Sequence, residues 1–140
     1  MSDGFRAVKE TTRHMHGPRG VLACGYAPAE QEILLAMMEN QGFRDTPAIF
    51  ANEETAGIAL AELLALPGGT GRGRVSNLPR AVILSGLLEK ELHAFMAAWK
   101  DLGLPSQLWA CLTPTSESWP LRALLTELER ERQAFAQRDR

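Results

Sequence analysis

Residues 19 to 65 and 80 to 126 align as two copies of one unit, offset by 61 positions with no gap. Arg19-Gly20-Val21-Leu22-Ala23-Cys24-Gly25 lies over Arg80-Ala81-Val82-Ile83-Leu84-Ser85-Gly86. Glu30 lies over Glu91, Ala36 over Ala97, Gly42 over Gly103, and Leu60, Leu63 and Leu64 over Leu121, Leu124 and Leu125. The nine identities in 47 pairs fall at the strand, the turn, the helix end and the helix core of the unit. A repeat of this kind constrains the architecture before any single residue is read, because each copy must form the same supersecondary unit.

Each copy reads strand, helix, strand, helix. Val21 to Cys24 is a short apolar run closed by Gly25, as expected of a buried strand. Pro28 suits a first helical turn, Ile33, Leu34, Met37 and Met38 recur at helical spacing, and Gly42 is the expected stop. Pro47 to Phe50 reads as the second strand. Asn52 is placed to cap the next helix, with Glu53 and Glu54 in its first turn and Leu60, Leu63 and Leu64 as its inner stripe. The second copy repeats the pattern: Ala81 to Leu84, then Leu92, Phe95, Met96 and Trp99 at i, i+3, i+4, i+7, then Gly103. Leu108 to Leu112 follows as a strand, and a last helix begins near Pro120. The layout is thus a tail over 1–18, one domain over 19–132 (repeats 19–66 and 80–132, linker 67–79) and a charged tail over 133–140. The linker holds Gly68, Gly69, Gly71 and Gly73 and reads as a flexible connector.

Alternating strands and helices define an α/β fold with parallel strand pairs. The favoured arrangement is a four-stranded, mainly parallel sheet of order 2-1-3-4 with helices on both faces. All strand C-termini then share one edge, and the turns after Cys24, Phe50, Ser85 and Leu112 meet there, with the crevice between strands 1 and 3 as the natural binding place. The alternative is a mixed sheet, in which a pseudo-twofold relates the two βαβα halves and their first strands run antiparallel. That arrangement sends equivalent turns to opposite edges.

Length and composition set the outer bounds. The chain has 140 residues, 45% hydrophobic and 23% charged, enough for one ordinary globular domain. No apolar run reaches the roughly 18 residues of a membrane span. Met1 to Pro18 lacks a signal-peptide core, so a cytoplasmic protein with no membrane contact is expected. In that setting the two cysteines are expected to be free thiols. A net charge of −2 gives no general attraction to nucleic acid. The first repeat is the more acidic, with Arg19 and Arg44 against seven acidic side chains, which reads as a solvated face.

The chemistry-bearing candidates are few. Thr113-Pro114-Thr115-Ser116-Glu117-Ser118-Trp119 leaves a strand and enters a helix, where free N–H groups and hydroxyls can receive an anion or a polar partner. A purely local role is equally concrete: Ser116 or Ser118 caps the helix and Trp119 packs on the sheet. Cys24, at a strand end beside a helix start, is the candidate reactive thiol; Cys111 sits within a strand. His14 and His16 could hold a metal with Cys24 or Met1, although the spacing is a common one and no metal is assigned. His93 reads as a solvated helix-surface residue. Arg72-Gly73-Arg74 lacks the aromatics and basic face that nucleic-acid binding uses, and the glycine-rich linker lacks the ending of a phosphate loop. No Ser/His/Asp or paired-carboxylate set can be assembled.

Val82-Ile83-Leu84-Ser85-Gly86, Glu91-Leu92, the Leu102-Gly103-Leu104 helix end and Thr113-Pro114-Thr115 with Trp119 resemble the bacterial domain of unknown function family numbered 3783. Its pattern is an apolar strand ending in Gly-Phe, a helix, and a strand ending in Thr-x-Thr-Asn with a Trp just beyond. The resemblance covers roughly residues 80 to 132. The first copy keeps only the opening, from Cys24-Gly25-Tyr26 to Gly42-Phe43. Leu87 replaces the aromatic after Gly86, while Tyr26 retains it in the first copy; Ser116 replaces the Asn. Each copy thus holds half of the pattern: either the two ends serve one composite site, built from Tyr26, Thr113, Thr115, Ser116 and Trp119, or neither is a site. The resemblance implies no activity, cofactor or partner. The expectation is a non-catalytic binding or regulatory module that takes a protein partner or a small anionic ligand at the polar edge. The alternatives are a small-molecule or thiol-dependent enzyme using Cys24, and a homodimerisation module built on strand 4.

Overall fold

The computed structural model describes residues 14–138. The first half contains β1 (Gly20–Cys24), α1 (Pro28–Asn40), β2 (Ala48–Ala51) and α2 (Leu60–Leu64). The second contains β3 (Ala81–Ser85), α3 (Glu89–Lys100), β4 (Leu108–Cys111), a 3₁₀ turn (Ser116–Ser118) and α4 (Leu121–Arg138). The strands form one sheet in the order β2-β1-β3-β4. The pairs β1/β2 and β3/β4 are parallel. The central pair β1/β3 is antiparallel, so the sheet is mixed and the expected single edge of strand C-termini does not form.

The central register explains the 61-residue offset in space. Leu22 pairs with Ile83, its own counterpart, and Gly20 with Ser85, Val21 with Leu84, Ala23 with Val82 and Cys24 with Ala81 around it. A pseudo-twofold therefore passes through the Leu22/Ile83 pair. It also passes through the bridge between Ala59 and Pro120, where Leu60 N–H donates to Trp119 C=O and Leu121 N–H to Ile58 C=O.

Strand alternation sends successive side chains to opposite faces and so builds two cores. Val21, Ala23, Phe50, Val82 and Leu84 meet Leu34, Met37 and Met38 of α1 and Phe95 and Trp99 of α3. Leu22, Cys24, Ile49, Ala81 and Ile83 meet Leu60, Leu63 and Leu64 of α2 and Leu121, Leu124 and Leu125 of α4. Helices thus cover both faces, as the periodicity requires.

Three local expectations change. Helix α2 starts at Leu60, eight residues after Asn52, because Asn52 to Thr55 closes on itself as a turn: Glu54 N–H donates to Asn52 Oδ1 and Asn52 N–H to Thr55 Oγ1. Helix α4 continues to Arg138, past the expected start of a charged tail at residue 133; Phe135 there is 66% exposed. The linker is not a free tether. Gly69 N–H donates to Ala48 C=O and Phe50 N–H to Thr70 C=O, so the connector lies along the outer edge of β2. Gly71 makes this close approach possible: its φ is +81°, and a Cβ there would drive into the Phe50 carbonyl.

Candidate binding site

The residues identical in both halves hold the halves together. Arg19 donates two hydrogen bonds to the Glu91 carboxylate, at 2.7 and 2.6 Å. Its counterpart Arg80 donates to Glu30 at 2.7 Å. Each glutamate also accepts from the N–H that precedes its helix, Glu30 from Ala27 at 2.9 Å and Glu91 from Leu88 at 2.8 Å. The bidentate Arg19 contact holds the Glu91 carboxyl at about 2, far below its usual value. At Glu30 burial works against the charge, but the Ala27 N–H and Arg80 outweigh it and the carboxyl still lies below the usual range. Gly25 and Gly86 repeat the exchange in the backbone, where a Cβ on either would collide with the segment entering the other half's strand, near Leu78 and Gly17.

This exchange also separates the expected composite site. Because β1 and β3 are antiparallel, Tyr26 lies at the β4 N-terminal end and Thr113 to Trp119 at its C-terminal end, about five residues of strand or ~17 Å apart. Tyr26 is 1% exposed. Its hydroxyl accepts from Trp99 Nε1 at 2.8 Å and donates to Gln107 Oε1, and the Arg80 guanidinium stacks 4.5 Å from the ring centroid. Burial raises its pKa. Tyr26 is a core residue here and offers no surface to a ligand.

Thr113, Thr115, Ser116 and Trp119 do share one end of the sheet but play different parts. Thr113 N–H donates to Ser116 Oγ, and Ser116 N–H to Thr113 Oγ1, each near 3 Å. This is the counterpart of the Asn52–Thr55 turn, built from different residues to the same end. Trp119 is half-buried against the α2/α4 core. Thr115 is exposed at the tip of the turn.

Beside that tip is a cleft of about 430 Å³. All three histidines of the chain line it, His14, His16 and His93, with Leu92, Cys111 and Thr113. His16 Nε2 is 2.7 Å from Glu117 Oε2, and His93 lies 3.9 Å from Glu89. Positions 14, 93 and 113 carry no mutual spacing signal in the sequence; only the fold of β4 against α3 assembles them.

The corresponding surface of the first half is filled by the connector. There Gly73 N–H donates to Gln31 Oε1 at 2.7 Å, the position matching Leu92. Arg72 pairs with Glu32, matching His93, and Arg74 with Glu54, matching Thr115. The backbone of Ala48 and Phe50 is paired to the connector; in the second half Trp109 and Cys111 hold those positions. In the parallel ladder Leu108 and Leu112 N–H groups point to β3, so those of Trp109 and Cys111 point outward. Among the described residues no segment lies along this edge.

The remaining candidates resolve simply. Cys24 is fully buried, and burial pushes its thiol up to about 12. The strand-end position does not lower its pKa, because the side chain faces the α2/α4 core rather than a helix N-terminus. Cys111 is a half-buried free thiol, also raised by burial. Cys24 lies away from the His14/His16 cleft, and Met1 is outside the described residues. Among those described, no three His, Cys, Asp or Glu side chains are placed to hold a metal ion together. Arg72 and Arg74 are engaged in ion pairs with Glu32 and Glu54. No helix described is long and apolar enough to cross a membrane.

Fold and edge together define a class: a mixed α/β sheet of two like halves, one with its outer edge covered from within the chain. Residues 80–135, which span the second half from the entry to β3 into α4, match the family model for a domain of unknown function, DUF3783. No curated protein and no solved structure matches the chain significantly.

Proposed function

We propose that the protein is a non-catalytic binding module that takes a polypeptide segment along the outer edge of its second half. The observation that carries this is the connector. On the first half the same surface, position for position, already holds a segment of chain folded into consecutive turns, by two backbone hydrogen bonds to the edge strand and by ion pairs at the positions of His93 and Thr115. On the second half Trp109 and Cys111 present that edge, and the histidine-lined cleft continues it. Docking of a chain on a strand edge gets affinity from main-chain pairing and selectivity from the flanking side chains. Thr115 and His93, both exposed, are the selectivity contacts; Thr113 and Ser116 hold the turn that presents Thr115. The imidazoles and hydroxyl on the rim suit a polar segment, and Leu92 and Leu112 on the floor suit an apolar side chain at its centre.

A random-peptide display on the full chain tests this, followed by amide chemical-shift mapping of each selected peptide. Trp109 and Cys111 amides are expected to shift, and Thr115→Arg or His93→Glu to weaken binding about tenfold, the scale of losing a good interface contact. Peptides that bind with full affinity to both variants, or that leave the Trp109 and Cys111 amides unmoved, would remove the reading.

A further inference from the structure

We infer that the chain docking on this edge is β4 of a second copy of the protein, joined about a twofold. The inference rests on the reading that the β4 edge accepts a polypeptide, and names that polypeptide. Three features of the edge favour a copy of itself.

First, the edge is flanked by an apolar groove that supplies both halves of a self-complementary contact. Leu108, Trp109, Leu128, Ala134 and Phe135 line about 550 Å³ between β4 and the end of α4. Phe135 is 66% exposed, one of three large apolar side chains that are exposed among the described residues. A twofold gives each copy a groove to fill and a phenyl ring to fill the other's, which is the condition for an isologous interface that closes.

Second, the groove's charged rim is self-complementary. It carries one acid and one base, Glu131 and Arg132. A twofold that brings two α4 ends together antiparallel sets Glu131 of each copy toward Arg132 of the other. A rim of one sign would repel its own copy.

Third, the protein already contains a joint of this type. β1 and β3 pair antiparallel about a pseudo-twofold, each the inner strand of a like half. Antiparallel pairing of β4 with β4 repeats that geometry at the outer strand and extends the sheet from four strands to eight. It also places the segment before the partner's β4 alongside the turn that carries Thr115.

Sedimentation of the full chain over a wide concentration range tests the inference. The wild type is expected to associate to dimers. Phe135→Glu is expected to weaken association at least about tenfold, with an unchanged circular dichroism spectrum, and with a melting temperature equal to that of the wild type when both are dilute enough to be monomeric, because the ring is exposed. Arg132→Glu is expected to weaken it, and the exchange Glu131→Arg with Arg132→Glu to restore it. A wild type that stays monomeric at high concentration overturns the inference. So does a dimer that Phe135→Glu leaves intact, since its interface then lies elsewhere. Selected peptides that still shift the Trp109 and Cys111 amides of a monomeric wild type would overturn the second copy and leave the polypeptide-binding reading standing. A monomer whose edge no peptide engages would overturn both.

Discussion

Replacing Glu91 by glutamine isolates the ion pair that fixes how the halves meet. The amide keeps an oxygen for the Leu88 N–H and loses both the charge facing Arg19 and the second of the two oxygens that accept from it. The carboxyl is lowered from 4.5 to about 2, which at face value is about 3 kcal/mol. Roughly a quarter of each partner's side chain reaches water, and screening there reduces the expected cost to about 1–2 kcal/mol. The sign with pH follows from proton binding. Between about 2 and 4.5 the unfolded chain binds a proton at Glu91 that the folded chain does not, so folded stability rises with pH across that window. The contribution is fully present above about 4.5 and is lost as pH falls toward 2. Urea unfolding of wild type and Glu91→Gln at pH 7 and at pH 2.5 measures both effects. The expected result is a lower midpoint for the variant at pH 7 and a much smaller difference at pH 2.5. Equal midpoints at pH 7, or a difference that does not shrink in acid, would show that Arg19 and Glu91 do not carry the joint.

Gly25→Ala and Gly86→Ala each place a Cβ against the opposite half's backbone at φ near +70°, and each is expected to cost at least about 2 kcal/mol, read as a drop in urea midpoint; a neutral result at either would count against the close approach. Iodoacetamide at pH 8 is expected to leave Cys24 unlabelled in the folded protein and to react with it in urea, since burial holds the thiol up to about 12; rapid labelling of the native protein at Cys24 would revive a thiol chemistry. Phe95→Ala empties the α3 side of the core, where Phe95 meets Phe43 and Trp109 edge-on at 5.4 and 6.3 Å, and calorimetry should show a loss of about 3–5 kcal/mol.

The elements, their order and their inner faces are legible in the residue pattern alone. Those depend on local rules: the apolar runs at Val21 and Val82, the helical spacing from Leu92 to Trp99, and glycine at the helix ends. The strand order β2-β1-β3-β4 was also legible, because like halves place their first strands at the centre. Local patterns leave the direction of the central pair open between two arrangements, although a signal for it is present. Arg19/Arg80 and Glu30/Glu91 are identical across the halves. In an all-parallel sheet both arginines would sit at one edge and both glutamates at the other, about 17 Å away and unpaired. Antiparallel pairing lets each arginine meet the other half's glutamate. The same reversal buried Tyr26 beneath Arg80 and parted it from Thr115. The edge that the connector covers, and the meeting of His14, His16 and His93 in one cleft, are decided by the tertiary structure. Those are contacts between segments far apart in the chain, set by how strands pair and what lies along their edges, and no local periodicity records them.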